Sequence, residues 1–530
     1  MLRTVNIFCD SPVKKMIDDR FSVKAWVNLV VSLFLVSWAN IAYAETPVSN
    51  TDGKPFSHET VVDVARKLSL KPFMEPQKTP DSLAKIDYST YRQINFQKDA
   101  AIWGGAPTPF SIQLFAPGFL YKDLIDIDLV ESGQSSPVEL SESSFTVPNE
   151  AIGKILAEVG KYAGFRLHYP INREDYSDEF LVFQGASYFR GVSKGQAYGL
   201  STRGLAINVA DPKGEEFPLF KKFWIERPSS HQNAIVVHAL LDSKSVAGAY
   251  RFAIYPGAPT RMDVDVILFP RQDVQHVGLA PLTSMFLFGG IDRADSADYR
   301  SAVHDSEGLL MANGNSEKIW RPLNNPHNLQ VSSFISENLN GFGLIQPHRK
   351  LDYYQDLEAK YHLRPSAWVK PLGDWGKGKV KLVEIPSDSE INDNIVAYWE
   401  PEEGLKKDQP FAYSYQLTWP DSIPKALGKV SVVRTAGGRK LNTDKNEIVI
   451  DYSNLKVDDV NKIKIDASIN SGAILESRIE SNPDIDGARV FVTFDPQDAD
   501  VAELRVQLKQ NDKPIGMTWL YRFTAEDWPL

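Results

Sequence analysis

An all-β protein, with one large sandwich followed by a small one, is what this 530-residue sequence predicts. Three observations carry that reading. Most segments between turn residues are short runs rich in Val, Ile, Tyr and Phe, only two stretches have helical spacing, and the patterning changes after a Pro-rich break at Pro420–Pro424. A chain of this length is also too long for one compact core, so two domains are expected.

The elements follow in chain order. Ser57 can cap a helix in which Val61, Val64, Ala65 and Leu68 recur at three-to-four spacing. A second helix is predicted over Asn149–Ala163, with Ile152, Ile155, Leu156 and Val159 as its buried stripe and Gly164 as its stop. Strands are predicted at Phe110–Phe115, Ala234–Leu241, Ala249–Tyr255 and Met262–Phe269. In the last of these Met262, Val264, Val266 and Leu268 alternate with Asp263 and Asp265, the pattern of a strand with one buried and one polar face. Pro410–Trp419 closes the large domain, residues 53–420, and residues 421–429 form the linker. Beyond it, Glu447–Tyr452, Ile463–Ala467, Arg489–Phe494 and Ala502–Leu508 alternate apolar and polar residues, so residues 430–530 suit a small immunoglobulin-like β-sandwich. There is no repeat at a solenoid or propeller period.

Composition narrows the function. A formal net charge of -10 with no basic tract argues against nucleic-acid or anionic-membrane partners. The N-terminus places Lys14, Lys15, Arg20 and Lys24 before an apolar run, Ala25–Trp38, and then Ala42-Tyr43-Ala44, the order of a secretory signal cut after Ala44. The run is short for a bilayer and is interrupted by Ser32 and Ser37, so no stable membrane insertion is expected after cleavage. The region before the run is long, and either Met1 or Met16 can be the start. Residues 1–44 carry five basic and three acidic side chains, which leaves the mature chain at -12. The one cysteine, Cys9, lies in this leader, so thiol catalysis, cysteine metal sites and disulfides are excluded from the mature protein. The chain has no phosphate loop, HExxH, GxSxG elbow or dinucleotide fingerprint. The nine histidines show no ligand spacing, so neither a metal nor a cofactor is expected.

Two regions have the composition of a carbohydrate site. Gly185–Pro228 interleaves Tyr188, Phe189 and Tyr198 with Arg190, Arg203 and the glycines 185, 191, 195, 199 and 204, which permit tight turns or close approach to a ligand. Asp211, Glu215 and Glu216 in the same segment read as solvated loop residues. Between Tyr299 and Trp399, His304-Asp305-Ser306, Trp320-Arg321, Arg364-Pro365-Ser366-Ala367-Trp368 and Asn392-Asp393-Asn394 each join a polar tip to an aromatic ring or a turn. Aromatic rings cover the C–H faces of pyranoses while Arg, Asn and carboxylates take the hydroxyls. Glycosidic bond cleavage or transfer further requires a protonated carboxyl for the leaving oxygen and, in inverting enzymes, a second carboxylate to activate the acceptor. The same residues admit plainer readings. Asn392-Asp393-Asn394 is also turn chemistry, Asp305-Ser306-Glu307-Gly308 also suits a cap or hairpin, the indoles of Trp320, Trp368 and Trp399 bury well, and Arg190, Arg203 and Arg321 suit internal ion pairs.

The motifs GASYFR, YGLS-x-RGLAI and EEFP-x-F-x-x-FW, with HDS at His304–Ser306, WRPLNNP at Trp320–Pro326, GFGL at Gly341–Leu344, RPSAWV at Arg364–Val369 and NDNIVAYW at Asn392–Trp399, resemble the periplasmic glucan biosynthesis proteins of Gram-negative bacteria. They are more similar to the G-type member than to the D-type paralogue, and no paired arginine of a twin-arginine leader is present. The resemblance implies a galactose-mutarotase-like large sandwich, a periplasmic location and a role in the biosynthesis of osmoregulated periplasmic glucans. It also implies action on β-1,2-linked glucan by hydrolysis or transglycosylation. Motif matching puts the general acid at Asp393 and the base at Asp305, acting through a chain of waters, with Tyr188, Arg190, Arg203, Trp320, Arg321, Trp368 and Trp399 as substrate-binding candidates. The alternative is a non-catalytic protein that receives glucan from an inner-membrane glucosyltransferase and guides it.

Overall fold

The computed structural model describes residues 53–138, 144–292, 297–424, 427–428, 430–455 and 462–528. The expected leader, with Cys9 and the cut after Ala44, lies outside these residues, as do 425, 426 and 429 of the expected linker. Strands dominate among the described residues, in two large sheets, a four-stranded one and two two-stranded ones. The first large sheet has 15 strands and holds Ile235–Asp242, Val246–Tyr255, Thr260–Pro270 and Phe411–Trp419 as antiparallel neighbours. The second has 10 strands, among them Ser111–Phe115, Gly164–Arg173, Tyr176–Gln184, Tyr188–Gly191, Val277–Ser284 and Ile395–Pro401.

One apolar core joins the two sheets. Phe183 and Phe189 of the second lie 5.3 and 5.4 Å from Phe252 of the first, edge to face, and all three are buried. The alternation expected around Met262 holds: Met262, Val264, Val266 and Leu268 point into this core, while Asp263 and Asp265 accept hydrogen bonds from Gln416 and Ser414 on the outer face. Most observed strands run one to three residues beyond an expected bound, because backbone pairing with neighbours carries a strand past its last apolar side chain, whereas those expected from Phe110, Ala234 and Pro410 start one residue later.

Two helices of ten or more residues lie among the described residues. The first, α1 (His58–Ser69), begins at Ser57 with a capping box to Thr60. Its buried face is Val61, Val62 and Ala65; Val64 is exposed, so the stripe is rotated from the one expected. The second, α2 (Glu150–Val159), is capped by Asn149, whose side chain accepts from the Ile152 N–H at 3.0 Å. It stops at Gly160, φ +60°, before the expected Gly164, since Gly160 is the first residue able to take the left-handed cap. No helix among the described residues is long and apolar enough to cross a membrane.

The tail is joined to the large sheet through its last strand, Lys513–Thr524. Ile319 and Trp320 pair in parallel with Thr518 and Trp519, and a second core mixes Leu310, Trp320, Ile345 and Trp368 with Ile448, Val490, Leu504 and Trp519. Trp519 is fully buried and donates its indole N–H to the Thr435 hydroxyl at 3.1 Å. Trp519→Ala is expected to lower the stability read from urea unfolding by about 3–5 kcal/mol through the cavity it leaves.

Candidate functional site

Strand ends and loops of the 10-stranded sheet surround a cleft of about 770 Å³, within the ~300–1,000 Å³ typical of small-ligand sites. Tyr188 and Arg190 stand on one wall, Asp305 and Arg364 on another, and the loop Glu390–Asp393 on a third. The structure thus brings together four of the nine residues singled out in the sequence: Tyr188, Arg190, Asp305 and Asp393.

Asp305 follows the short strand Val303–His304 and is only 3% exposed. Its backbone N–H donates to the Met285 carbonyl at 2.8 Å, and its carboxylate accepts from an Arg364 guanidinium N–H. Burial pushes the Asp305 carboxyl up to about 6; Arg364 and, more weakly, Arg190 pull it down, and the charge of Asp393 adds to the rise. Behind it, the fully buried His304 stacks on Phe286 at 5.3 Å and is held near 4 by burial, hence neutral.

Asp393 is open to solvent in the cleft, yet enough protein surrounds it that lost hydration raises its carboxyl from the ordinary range. Arg190, the Thr283 hydroxyl, Arg203 and Arg364 oppose the rise. Arg190 forms no ion pair within 4 Å of any described carboxylate and faces the cleft, where its charge acts on Asp393 and Asp305 at longer range.

The loop bearing Asp393 is fixed at its base by two amides. The Asn394 side chain accepts from the Phe286 N–H at 2.8 Å and donates to the Phe286 and Ile385 carbonyls at 2.9 and 3.1 Å. Asn325 accepts from the Ser387 N–H at 2.9 Å and donates to the Ser387 carbonyl at 2.8 Å. Asn394 therefore bonds other segments and not its own turn, which separates this loop from simple Asx-turn chemistry.

A polar chain joins the two aspartates' surroundings. The Arg364 guanidinium lies 4.4 Å over the Tyr361 ring, the Tyr361 hydroxyl donates to Glu390 at 2.9 Å, and Arg300 donates to both Glu390, at 2.8 Å, and Asp356, at 2.7 Å. Glu390 lies three residues before Asp393. Gly199 lets Arg364 sit this close, since a Cβ there would stand 2.9 Å from the Arg364 Cβ.

Five candidates fall elsewhere, and each has a physical reason. Arg203 is buried, pairs with Glu215 and lies 4.9 Å over the Tyr188 ring, supporting that ring from the side. Arg321 is 1% exposed and paired at 3.1 Å with the buried Glu384. Trp320, Trp368 and Trp399 are core indoles, packed over Gly308, over Gly341 with Gly343, and over Gly378, respectively. Each fills space that a glycine on the neighbouring strand leaves open. Glu215 and Glu216 are not solvated loop residues either: the first pairs with Arg203, and the second accepts from the Ser245 N–H and hydroxyl at 2.9 and 2.7 Å. Sequence reasoning missed Glu179, Gln184, Tyr121 and Glu390 on the cleft wall. Glu390 was findable from its place beside Asn392-Asp393-Asn394; Glu179 lies inside the strand Tyr176–Gln184 with nothing local to mark it.

A profile of the family described as "Periplasmic glucan biosynthesis protein, MdoG" matches residues 56–523. The chain belongs to this family. It is 60% identical over 501 residues to "Glucans biosynthesis protein G 2" of Shewanella oneidensis, covering 94% of this chain and 95% of that one. It is 48% identical over 477 residues to "Glucans biosynthesis protein G" of Vibrio cholerae (88% and 87%) and 47% over 496 residues to that of Shewanella frigidimarina (92% and 88%). The family is one of periplasmic glucan biosynthesis, and the similarity is to its G-type members.

Because Arg364 holds the Asp305 carboxyl down, Arg364→Met should raise it further, by about 1 unit or more for a lost ion pair. A ¹³C-NMR titration of labelled aspartate carboxyls checks this, with Asp305→Asn identifying the resonance.

Proposed function

We propose that the protein cleaves or transfers β-1,2-linked glucan in the periplasm, with Asp393 as general acid and Asp305 as base. The observation that carries this reading is the presence of both carboxyls on one cleft, each shifted upward by lost hydration. A carboxyl raised in this way keeps a proton available for a leaving oxygen at a pH where an ordinary aspartate has lost it.

The division of labour follows from the two settings. Asp393 stands on a solvent-facing loop where a polymer can reach it, and Arg190 opposite is an unpaired donor for sugar hydroxyls. Asp305 is enclosed, so its contact with an attacking water or acceptor hydroxyl runs through intervening waters. Arg364 balances the charge it gains and loses. Tyr188, backed by Arg203, offers a ring face to a pyranose.

The relatives' names speak of biosynthesis, which suits transfer over cleavage within this reading and also suits a second one, non-catalytic guidance of a chain made by an inner-membrane glucosyltransferase. Residues 430–530 then serve as the docking piece.

Incubation of the full-length secreted form with linear β-1,2-glucan should shorten or rearrange the polymer. Asp393→Asn should reduce that rate by about 10²–10⁴-fold, the range for loss of a general acid, while leaving glucan binding and thermal stability in place. An unchanged rate rejects the assignment, and binding without any turnover by the wild type selects the second reading. The pH profile should be bell-shaped, because turnover needs Asp393 protonated and Asp305 ionised: it should fall in acid as Asp305 takes up a proton and in alkali as Asp393 loses one, and with the Asp305 carboxyl at about 6 the alkaline fall should lie no lower than that.

A further inference from the structure

Asp393 borders two cavities. Besides the cleft just described, it and Asn392 line a second hollow of about 650 Å³, walled by Asn325, Pro326, His327 and the stretch Ile385–Asp388. A glycosidic bond presented to Asp393 has sugar on both sides, and Asp393 lines two hollows that could take it. The second hollow opens directly beyond the acid.

One side chain on its wall is held in a fixed pose. Asp527, just past the last strand, accepts from the His327 ring at Nδ1, 2.6 Å, and from the His327 backbone N–H, 2.9 Å. Asp527 is itself 9% exposed at its side chain and further tied to Gln330. The neighbouring Asn328 donates to Glu526 at 3.2 Å, so residues 327–330 are docked on the C-terminal segment, while the Asn325 N–H donates to Asp292 at 2.7 Å. The hydrogen bond to Asp527, with the charges of Asp527, Glu526 and Asp292, holds the His327 imidazole above its ordinary range. Nε2 is left without a hydrogen bond to any described residue on a ring that is 56% exposed at its side chain.

We propose that the second hollow is a subsite for glucosyl units beyond Asp393 and that His327 contacts their hydroxyls through Nε2, oriented by Asp527. The inference rests on the glucan reading of the cleft. It assigns the C-terminal segment a part in building the substrate path: Asp527 is a positioning residue, acting through His327.

The test uses the full chain and linear β-1,2-gluco-oligosaccharides of defined, increasing length. His327→Ala should raise KM roughly tenfold, the loss of one charged hydrogen bond, for chains long enough to cross Asp393. It should leave kcat within about threefold, since no group acting on the bond is removed, and should move the position of cleavage along the chain. His327→Gln, which keeps an N–H near the place of Nε2, should restore part of the affinity, and unchanged melting temperatures should separate the effect from misfolding. Unchanged KM and cleavage positions in His327→Ala overturn the subsite while the catalytic reading stands. Should the wild type bind glucan without cleaving it, the catalytic reading falls and the subsite is judged by binding: an affinity equal in Asp393→Asn and in Asp393→Asn with His327→Ala overturns it. No glucan binding by the wild type overturns both.

Discussion

A carboxylate enclosed as Asp305 is enclosed cannot stay charged without a cation at hand, and the arrangement of the cleft follows from meeting that need with Arg364. The guanidinium has to lie flat against Tyr361, which fixes the turn before it; Tyr361 has to find an acceptor, which is Glu390; and Glu390 has to be neutralised, which brings in Arg300 and with it the segment around Asp356. One ion pair thereby orders three loops, the last of which carries Asp393. The two carboxyls are tuned by the same protein mass, but differently: one by enclosure against a single cation, the other by crowding at an open surface with several cations at longer range.

The fold was legible wherever side chains alternate against one core. Met262–Leu268 declares its two faces directly, and Ser57 and Asn149 mark their helix starts, because these signals are local. The boundary errors have equally local causes: Gly160 ends α2 because it precedes Gly164, and Val64 yields its place to Val62 because the tilt of α1 on the sheet is a tertiary property. The site was legible only in part. Tyr188, Arg190, Asp305 and Asp393 come together, but Trp320, Trp368, Trp399 and Arg321 resemble sugar-binding residues by type alone. Whether an indole covers a pyranose or a neighbouring strand's glycine depends on strand pairing and register, which the residues around the indole do not state by themselves. Glu179 was invisible for the same reason.

The glycines of Gly185–Pro228 show this well. Close approach does occur at Gly199 and Gly204, but what approaches is the protein's own Arg364 and Phe220. The chain uses absent side chains to bring its functional groups into register, so a glycine-rich stretch near a site reports the packing that shapes the site as much as the ligand that enters it.

The parallel pairing of Ile319 and Trp320 with Thr518 and Trp519 also bears on how the molecule forms. A chain appearing from its N-terminus presents the strand Lys318–Pro322 long before its partner exists, and in that interval one edge of the large sheet stays open. Contacts of such sequence separation slow folding, because loop closure precedes the reward of pairing. An open edge of this kind also invites pairing with other chains. The strand Lys513–Thr524 thus acts as a latch on that edge, which closes only when residues about 200 positions further along the chain pair with it.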